Sequence, residues 1–444
     1  MTRTAPRGVR GPSTVPGGLG ADLVTAAGCA EAAAHRPGHA PLPAVVIALL
    51  VVLRGPELAL RLPWRPLLGA SAATALAWTL CLALIDGWQC GVVDWLTTPT
   101  EYLHEVPRVT DIGATLRGFT EHIQGLRPGS WTAHVAGHPP GALLLFVGLD
   151  RVGLSGGAPA ALLCILVGAS AGVAVAVTLR ALGAEAIARA ALPFGVLFPG
   201  AIWVGVSADG LFTGVLGWGV ALLALGATRP RLDVAAVAAS AAGGLLLGAT
   251  VFLSYGLVLA GLLPLAVAIT ARRLGPLLVA AAGVAGVVAA FAAAGFWWLD
   301  GYGQVMIRYY QPGEYGLERP YGYWVWADLA CLAVVLGPAG VAGLRRVVTT
   351  TQRPPRALAL LCAAAALAAG RRPLRDGQGR GGTDLATVRG LAPGRDRPAP
   401  AAPGPLVADR PECARAAGQP PPAHHMVTAF SGDNPPAGTT QCVE

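Results

Sequence analysis

The chain has 444 residues, 54% of them hydrophobic and only 13% charged, with a mean hydropathy of +0.56. That balance describes an all-α, polytopic integral membrane protein and excludes a large soluble fold, which has no use for so much Leu, Val and Ala. The net charge of +8 comes from 32 Lys plus Arg against 24 Asp plus Glu, and the basic residues stand in short clusters between apolar runs. This is a topology signal rather than a nucleic-acid footprint.

Residues 1–40 are rich in Arg, Gly and Pro without a clean cleavable signal and read as a disordered lead-in. A membrane domain is expected over 41–370. Its apolar runs cover 45–60, 67–85, 158–178, 190–206, 211–225, 234–249, 256–269, 278–298 and 324–344, and another begins at Ala357. At roughly 20 residues per crossing, these make about ten transmembrane helices. Residues 142–149, between Pro140 and Asp150-Arg151, are closer to a re-entrant or interfacial segment than to a crossing. Eight cysteines occur without a C-x-x-C pair, several inside apolar runs. They suggest neither a zinc site nor a disulfide framework, and read as small buried hydrophobes.

Between the second and third runs lies a polar segment, 87–138, carrying Asp94, Glu101, Glu105, Asp111 and Glu121 and closing on His138-Pro139-Pro140-Gly141. A long acid-bearing loop beside a bilayer is where a membrane enzyme would place its chemistry. With the clusters Arg54/Arg61/Arg65, Arg180/Arg189, Arg229/Arg231, Arg272/Arg273 and Arg345/Arg346 in the cytoplasm, the acidic loop falls outside, provided that 142–149 does not cross. Asp209, Tyr255 and an aromatic loop at 299–321 share that outer face.

The order of these features is an Asp opening an amphipathic stretch in the first outer loop, then His-Pro-Pro-Gly, then a long Ala/Leu helix ending at Arg180, then Ser207-Ala-Asp-Gly-Leu-Phe. It resembles the GT-C superfamily of polyprenyl-phosphate-sugar glycosyltransferases, in the branch of protein O-mannosyltransferases and aminoarabinose transferases. The resemblance covers about half of the chain, residues 67–270. It implies transfer of a mannose-type sugar from a polyprenyl-phosphate donor to a hydroxyl of a protein, glycan or lipid, with inversion, at the outer face of the cell membrane. The base it implies is Asp111; Ile112 stands where relatives often carry a second acid, and Glu101 and Glu105, one helical turn apart, are the alternatives. The leaving phosphate would be met by Arg108, Arg117, His138, Arg308 or Arg319.

Each residue also has a plainer reading. Asp111 suits the N-cap of a following helix, His138 before two prolines suits a rigid turn, and Asp209 suits a cap at Gly210, although an acid at bilayer level is costly without a role. The aromatics near 297–326 suit an interfacial belt, or else a platform for sugar rings. Mg²⁺ or Mn²⁺ is compatible with the scattered acids, and no ligand spacing demands either. No Walker loop, dinucleotide fingerprint or H-E-x-x-H motif is present. The competing functional classes are a transporter, which would need acids at mid-membrane and internal repeats, and a non-catalytic membrane scaffold.

After Gly370 the apolar text gives way to Arg, Gly and Pro. Back-translation of 370–390 and 407–427 with GC-rich codons, shifted by one base, yields two apolar helix-compatible strings followed by a stop. The tail 371–444 is therefore expected to be out-of-frame translation without function. Resequencing the gene around the Gly370 codon tests this, and an intact frame there removes the idea.

Overall fold

The computed structural model describes residues 41–125, 127–310, 321–349 and 362. The lead-in, Arg319, the run from Ala357 and the tail from 371 lie outside the described residues. The described chain is all-helical, without a strand. Six helices are long and apolar enough to cross a membrane: Leu42–Arg61, Trp64–Asp86, Gly157–Ala181, Ala208–Ala227, Val234–Leu253 and Gly275–Ala293. Two shorter apolar stretches, Tyr255–Ala271 and Leu329–Gly343, accompany them.

In chain order the helices are α1 (Pro41–Arg61), α2 (Trp64–Ala83), the short α3 (Tyr102–Glu105), α4 (Ile112–Gly118) and α5 (Ala133–Gly137), then α6 (Pro140–Arg151), α7 (Gly157–Ala169), α8 (Ala171–Ala181), α9 (Glu185–Val196), α10 (Ala201–Val204), α11 (Ala208–Ala227), α12 (Val234–Leu253), α13 (Leu262–Ala271), α14 (Gly275–Ala293), α15 (Trp298–Tyr309) and α16 (Tyr321–Thr349). Several expected crossings are broken where the sequence carries helix-interrupting residues. The run at 190–206 is not one helix: α9 holds Pro193 and ends before Pro199-Gly200, and α10 follows. The run at 256–269 divides into a 3-10 turn and α13. The run at 278–298 stops at Ala293, followed by Gly295 at φ 99°, so that Trp298 opens a separate helix. Helix α16 is interrupted at Gly337, before Pro338.

Most threonine hydroxyls inside the helices are satisfied by their own helix, whereas the buried Ser240 hydroxyl of α12 has no hydrogen-bond partner. Thr74, Thr79, Thr178 and Thr270 each donate to the carbonyl four residues back, at 2.7–2.9 Å. Helix α11 lies at the centre of the bundle, against α7, α8, α12 and α13. It packs through small residues, because lipid offers helices no hydrophobic drive to associate and close backbone approach must supply the attraction. A side chain at Gly214 would collide with the Val167 carbonyl of α7. Trp218 of α11 adds a hydrogen bond to Ser170 at 2.8 Å, at the joint of α7 and α8. Helices α1 and α14 form the rim and turn Leu53 and Leu278 outward, 71% and 67% exposed.

The basic clusters between Arg54 and Arg273 gather at one end of the bundle. Arg189 donates to Ala59 and Leu62 carbonyls at the α1–α2 turn, at 3.0 and 2.9 Å, and to Glu185, which also receives Arg180. Arg273 likewise donates to the Arg229 carbonyl. The polar segment packs on the opposite ends of the same helices. Helix α6 has 12 residues, about 18 Å against a hydrocarbon core of about 30 Å, and both its ends meet that segment. Arg151 holds the Val109 and Thr110 carbonyls at 3.3 and 3.1 Å, and His138, just before it, binds the His134 carbonyl. The chain thus leaves α6 on the side where it entered.

The polar segment is a folded cap rather than a solvated loop. Its Leu96, Tyr102, Phe119, Ile123, Trp131 and Val135 are buried against Leu143 and Phe146 of α6, Ile165 of α7, Phe212 of α11 and Phe252 of α12. The cysteines are less uniform than their spacing suggests. Cys81 and Cys164 are free thiols in helices, whereas Cys90 is disulfide-bonded.

Gly214→Val is expected to destabilise the bundle by about 1–3 kcal/mol, the range for overpacking. Gly286→Ala, where an added methyl meets nothing within 4 Å, should leave it unchanged. Thermal melts in detergent compare the two, and equal melting temperatures would contradict the packing described.

Candidate functional site

The acids named from the sequence separate into distinct settings. Glu105 is 2% exposed and both its oxygens are engaged, with Arg108 at 2.5 Å and the Thr132 backbone N–H at 2.8 Å. Arg108 also donates to the Gly129 carbonyl at 2.8 Å, and its guanidinium lies 4.4 Å from the Trp131 ring centroid. The pair is a latch that closes the cap across residues 129–132. Its contacts are structural, which leaves neither residue free for chemistry.

Asp111 is exposed and caps α4, accepting from the Ala114 N–H at 2.7 Å. That hydrogen bond, with further help from Gly113, Arg117 and Arg151, holds its carboxyl below the usual range. The structure thus gives Asp111 the capping role that the sequence allowed. Arg117, also exposed, lies on the same short helix.

Glu101, His138 and Asp209 are brought together from three separate segments around Tyr102. Tyr102 is 1% exposed, and its ring centroid lies 6.1 Å from His134, 5.8 Å from His138 and 5.4 Å from Phe146. Burial, then the charges of Asp209 and Glu101, push its phenol well above the ordinary value. His134 Nδ1 stands 3.5 Å from a Glu101 carboxylate oxygen. Burial lowers this imidazole to about 4, with His138 acting in the same sense and Asp209 opposing. The ring is neutral at pH 7 and its contact with Glu101 is not an ion pair.

His138 faces Phe212 of α11 at 5.9 Å. Its Nδ1 lies 2.8 Å from the His134 carbonyl; a carbonyl only accepts, so Nδ1 carries the proton and Nε2 is the basic nitrogen of the neutral ring. The prolines that follow set the start of α6, and Gly141 brings it within 2.5 Å, measured from an added Cβ, of the Phe252 carbonyl. Asp209 is exposed in the first turn of α11, and the cap of that helix is Ser207, which accepts from the Gly210 N–H at 3.3 Å. The capping alternative for Asp209 therefore falls away. Tyr102 and His134 are members that the sequence reading passed over, although His134 and His138 stand at the four-residue spacing that places side chains on one helix face.

Tyr255 is elsewhere. Its ring packs on Trp298 and Tyr302 of α15 at 5.1 and 5.8 Å, and its hydroxyl is buried without a hydrogen-bond partner. Arg308 of α15 donates to the Ile123 and Trp131 carbonyls of the cap at 2.9 and 3.0 Å. A groove of about 480 Å³ opens between Leu103, His104, Pro107, Phe146, Asp150 and Ser155, and neither Glu101 nor Asp209 lines it. No grouping of three or more His, Cys, Asp or Glu suited to a metal ion occurs among the described residues.

Two outcomes are expected. Arg108→Ala strands the buried Glu105 charge and should cost about 3–5 kcal/mol, seen as a lower melting temperature and faster proteolysis near residues 129–132. The neutral His134 makes a second, pH-dependent contribution. The free imidazole takes its proton at 6.5 and the folded one at about 4, so between these values the unfolded chain binds more protons and acidification weakens the fold. Melts at pH 7 and pH 5 should show a drop that His134→Gln reduces; an unchanged drop would remove His134 as its source.

Comparisons with family models, with curated proteins and with solved structures find no match for this chain.

Proposed function

We propose that the chain is a membrane glycosyltransferase, moving a mannose-type sugar from a polyprenyl-phosphate donor to an acceptor hydroxyl with inversion. The single observation that carries this reading is the gathering of Glu101, Asp209 and His138 around Tyr102, at the end of the bundle away from the basic clusters. Basic clusters favour the cytoplasm, so the acids belong at the extracytoplasmic face, where a lipid-carried sugar meets its acceptor. The expected ten crossings include the broken segments at 185–204 and 255–271 and the kinked α16.

In this reading Asp209 or Glu101 takes the proton of the acceptor hydroxyl as it attacks the anomeric carbon. His138, its Nδ1 held by a backbone carbonyl, offers Nε2 to relay that proton. Charge developing on the departing phosphate calls for cationic or N–H donors, and exposed Arg117 is available in the cap. Arg108 and Arg308 hold cap carbonyls instead, which makes them positioning residues. The arrangement favours a transferase over a carrier, because the acids of the spans, Glu57, Asp86 and Asp209, sit in or near terminal turns, and only Arg54 stands towards the middle of one among the described spans.

The test supplies polyprenyl-phosphate mannose to membranes carrying this chain and, in parallel, a frame-restored form. Asp209→Asn and Glu101→Gln should each lower transfer about 10²–10⁴-fold, the range for loss of a general acid or base. Asp111→Asn, which preserves an N-cap, should leave transfer near the unsubstituted rate. Loss confined to Asp111→Asn would return the role of base to that residue, and transfer by neither parent form would remove the transferase reading.

A further inference from the structure

Helix α15 is polar where it meets the cap and apolar over much of its outward side; Trp298 and Val305 pack on the core beside the polar contacts, and Asp300 stands exposed in the first turn. The side that faces the protein carries Gln304, bonded to Gln124 at 2.6 Å, and Arg308, bonded to the Ile123 and Trp131 carbonyls. The outward side carries Leu299, Ile307, Tyr310 and Tyr302, which are 61%, 53%, 52% and 40% exposed. A helix lying on a protein in water shows the opposite arrangement, with its apolar stripe inward. Its position in the chain indicates what faces the outward side. It begins just after α14, a membrane-crossing helix that ends at Ala293, and Trp297 and Trp298 occupy the junction. Indole rings at the end of a span mark the level of the headgroups.

We infer that α15 lies flat in the outer leaflet interface, with Leu299, Ile307 and Tyr310 among the upper acyl chains, and that Gln304 and Arg308 fasten the cap to it. An amphipathic helix of this kind buries its apolar face by about 5–10 Å. The cap segment that α15 holds, 122–131, leads directly into α5 and His138. The helix therefore sets the height of the cap, and with it His134 and His138, relative to the lipid. The assignment requires no substrate and stands or falls separately from the transferase reading.

The test places a fluorescent amino acid at Leu299, Ile307 or Tyr310 of the full chain, in nanodiscs holding one copy and lipid brominated near the headgroup end of the acyl chains. The same residue at exposed Arg127 of the cap serves as the control. Severalfold quenching at the three α15 positions, with little at Arg127, is expected. Absence of quenching at all three α15 positions would overturn the assignment, whether water or residues 311–320 cover that face. Equal quenching at Arg127 would overturn it too, since the helix would then mark no level. One position that perturbs folding leaves two others to decide.

Discussion

The structure depends on a carboxylate whose two oxygens are both committed to the protein itself. Glu105 is almost wholly withdrawn from solvent and spends one oxygen on Arg108 and the other on the Thr132 amide. Removing a charge from water costs several kcal/mol unless it is paired and hydrogen-bonded, and here each oxygen has a partner. The return is geometric: residues 102–108 are tied to residues 129–132, and the chain between them closes over Phe119 and Trp131. Arg308 then binds the same segment, through the Trp131 carbonyl. The cap is held by guanidinium groups bonded to backbone carbonyls, and the histidines that follow Thr132 inherit their position from it.

This division of labour separates acids that look alike in sequence. Asp111 and Asp209 both stand at the start of a helix behind a short polar run. The difference is one of register: Ser207 is the N-cap of α11 and leaves Asp209 inside the first turn, whereas α4 starts one residue after Asp111, which is itself the cap even though Thr110 precedes it. Glu101 and Glu105 differ in the same way. They stand one helical turn apart, but Glu105 meets Arg108 at the three-residue spacing, whereas Glu101 has the His134 imidazole beside it.

Much of the helical architecture was legible in the sequence, because helices long enough to cross a membrane are written in runs of apolar residues. The helices from Trp64, Gly157, Ala208 and Val234 fall where those runs predict. Hydropathy has no sensitivity to a single interrupting residue, so Pro193, Gly295 and Gly337 divide segments that read as continuous. The site was legible only in part. His138 and Asp209 stood out through their neighbours, whereas Tyr102 and His134 belong to it through contacts between segments that no local pattern encodes. The assignment of Asp111 rested on a resemblance in the order of features, and order does not show which carboxylate is consumed by a cap.

The shortness of α6 bears on how the molecule is made. A segment of that length is too brief to partition into lipid by itself as it leaves the ribosome. Its seat is formed partly by the Phe252 carbonyl, at the close approach that Gly141 permits, and Phe252 belongs to a helix synthesised much later. The seat of α6 is therefore complete only once α12 has been made, so this end of the bundle is the last to close in the order of synthesis.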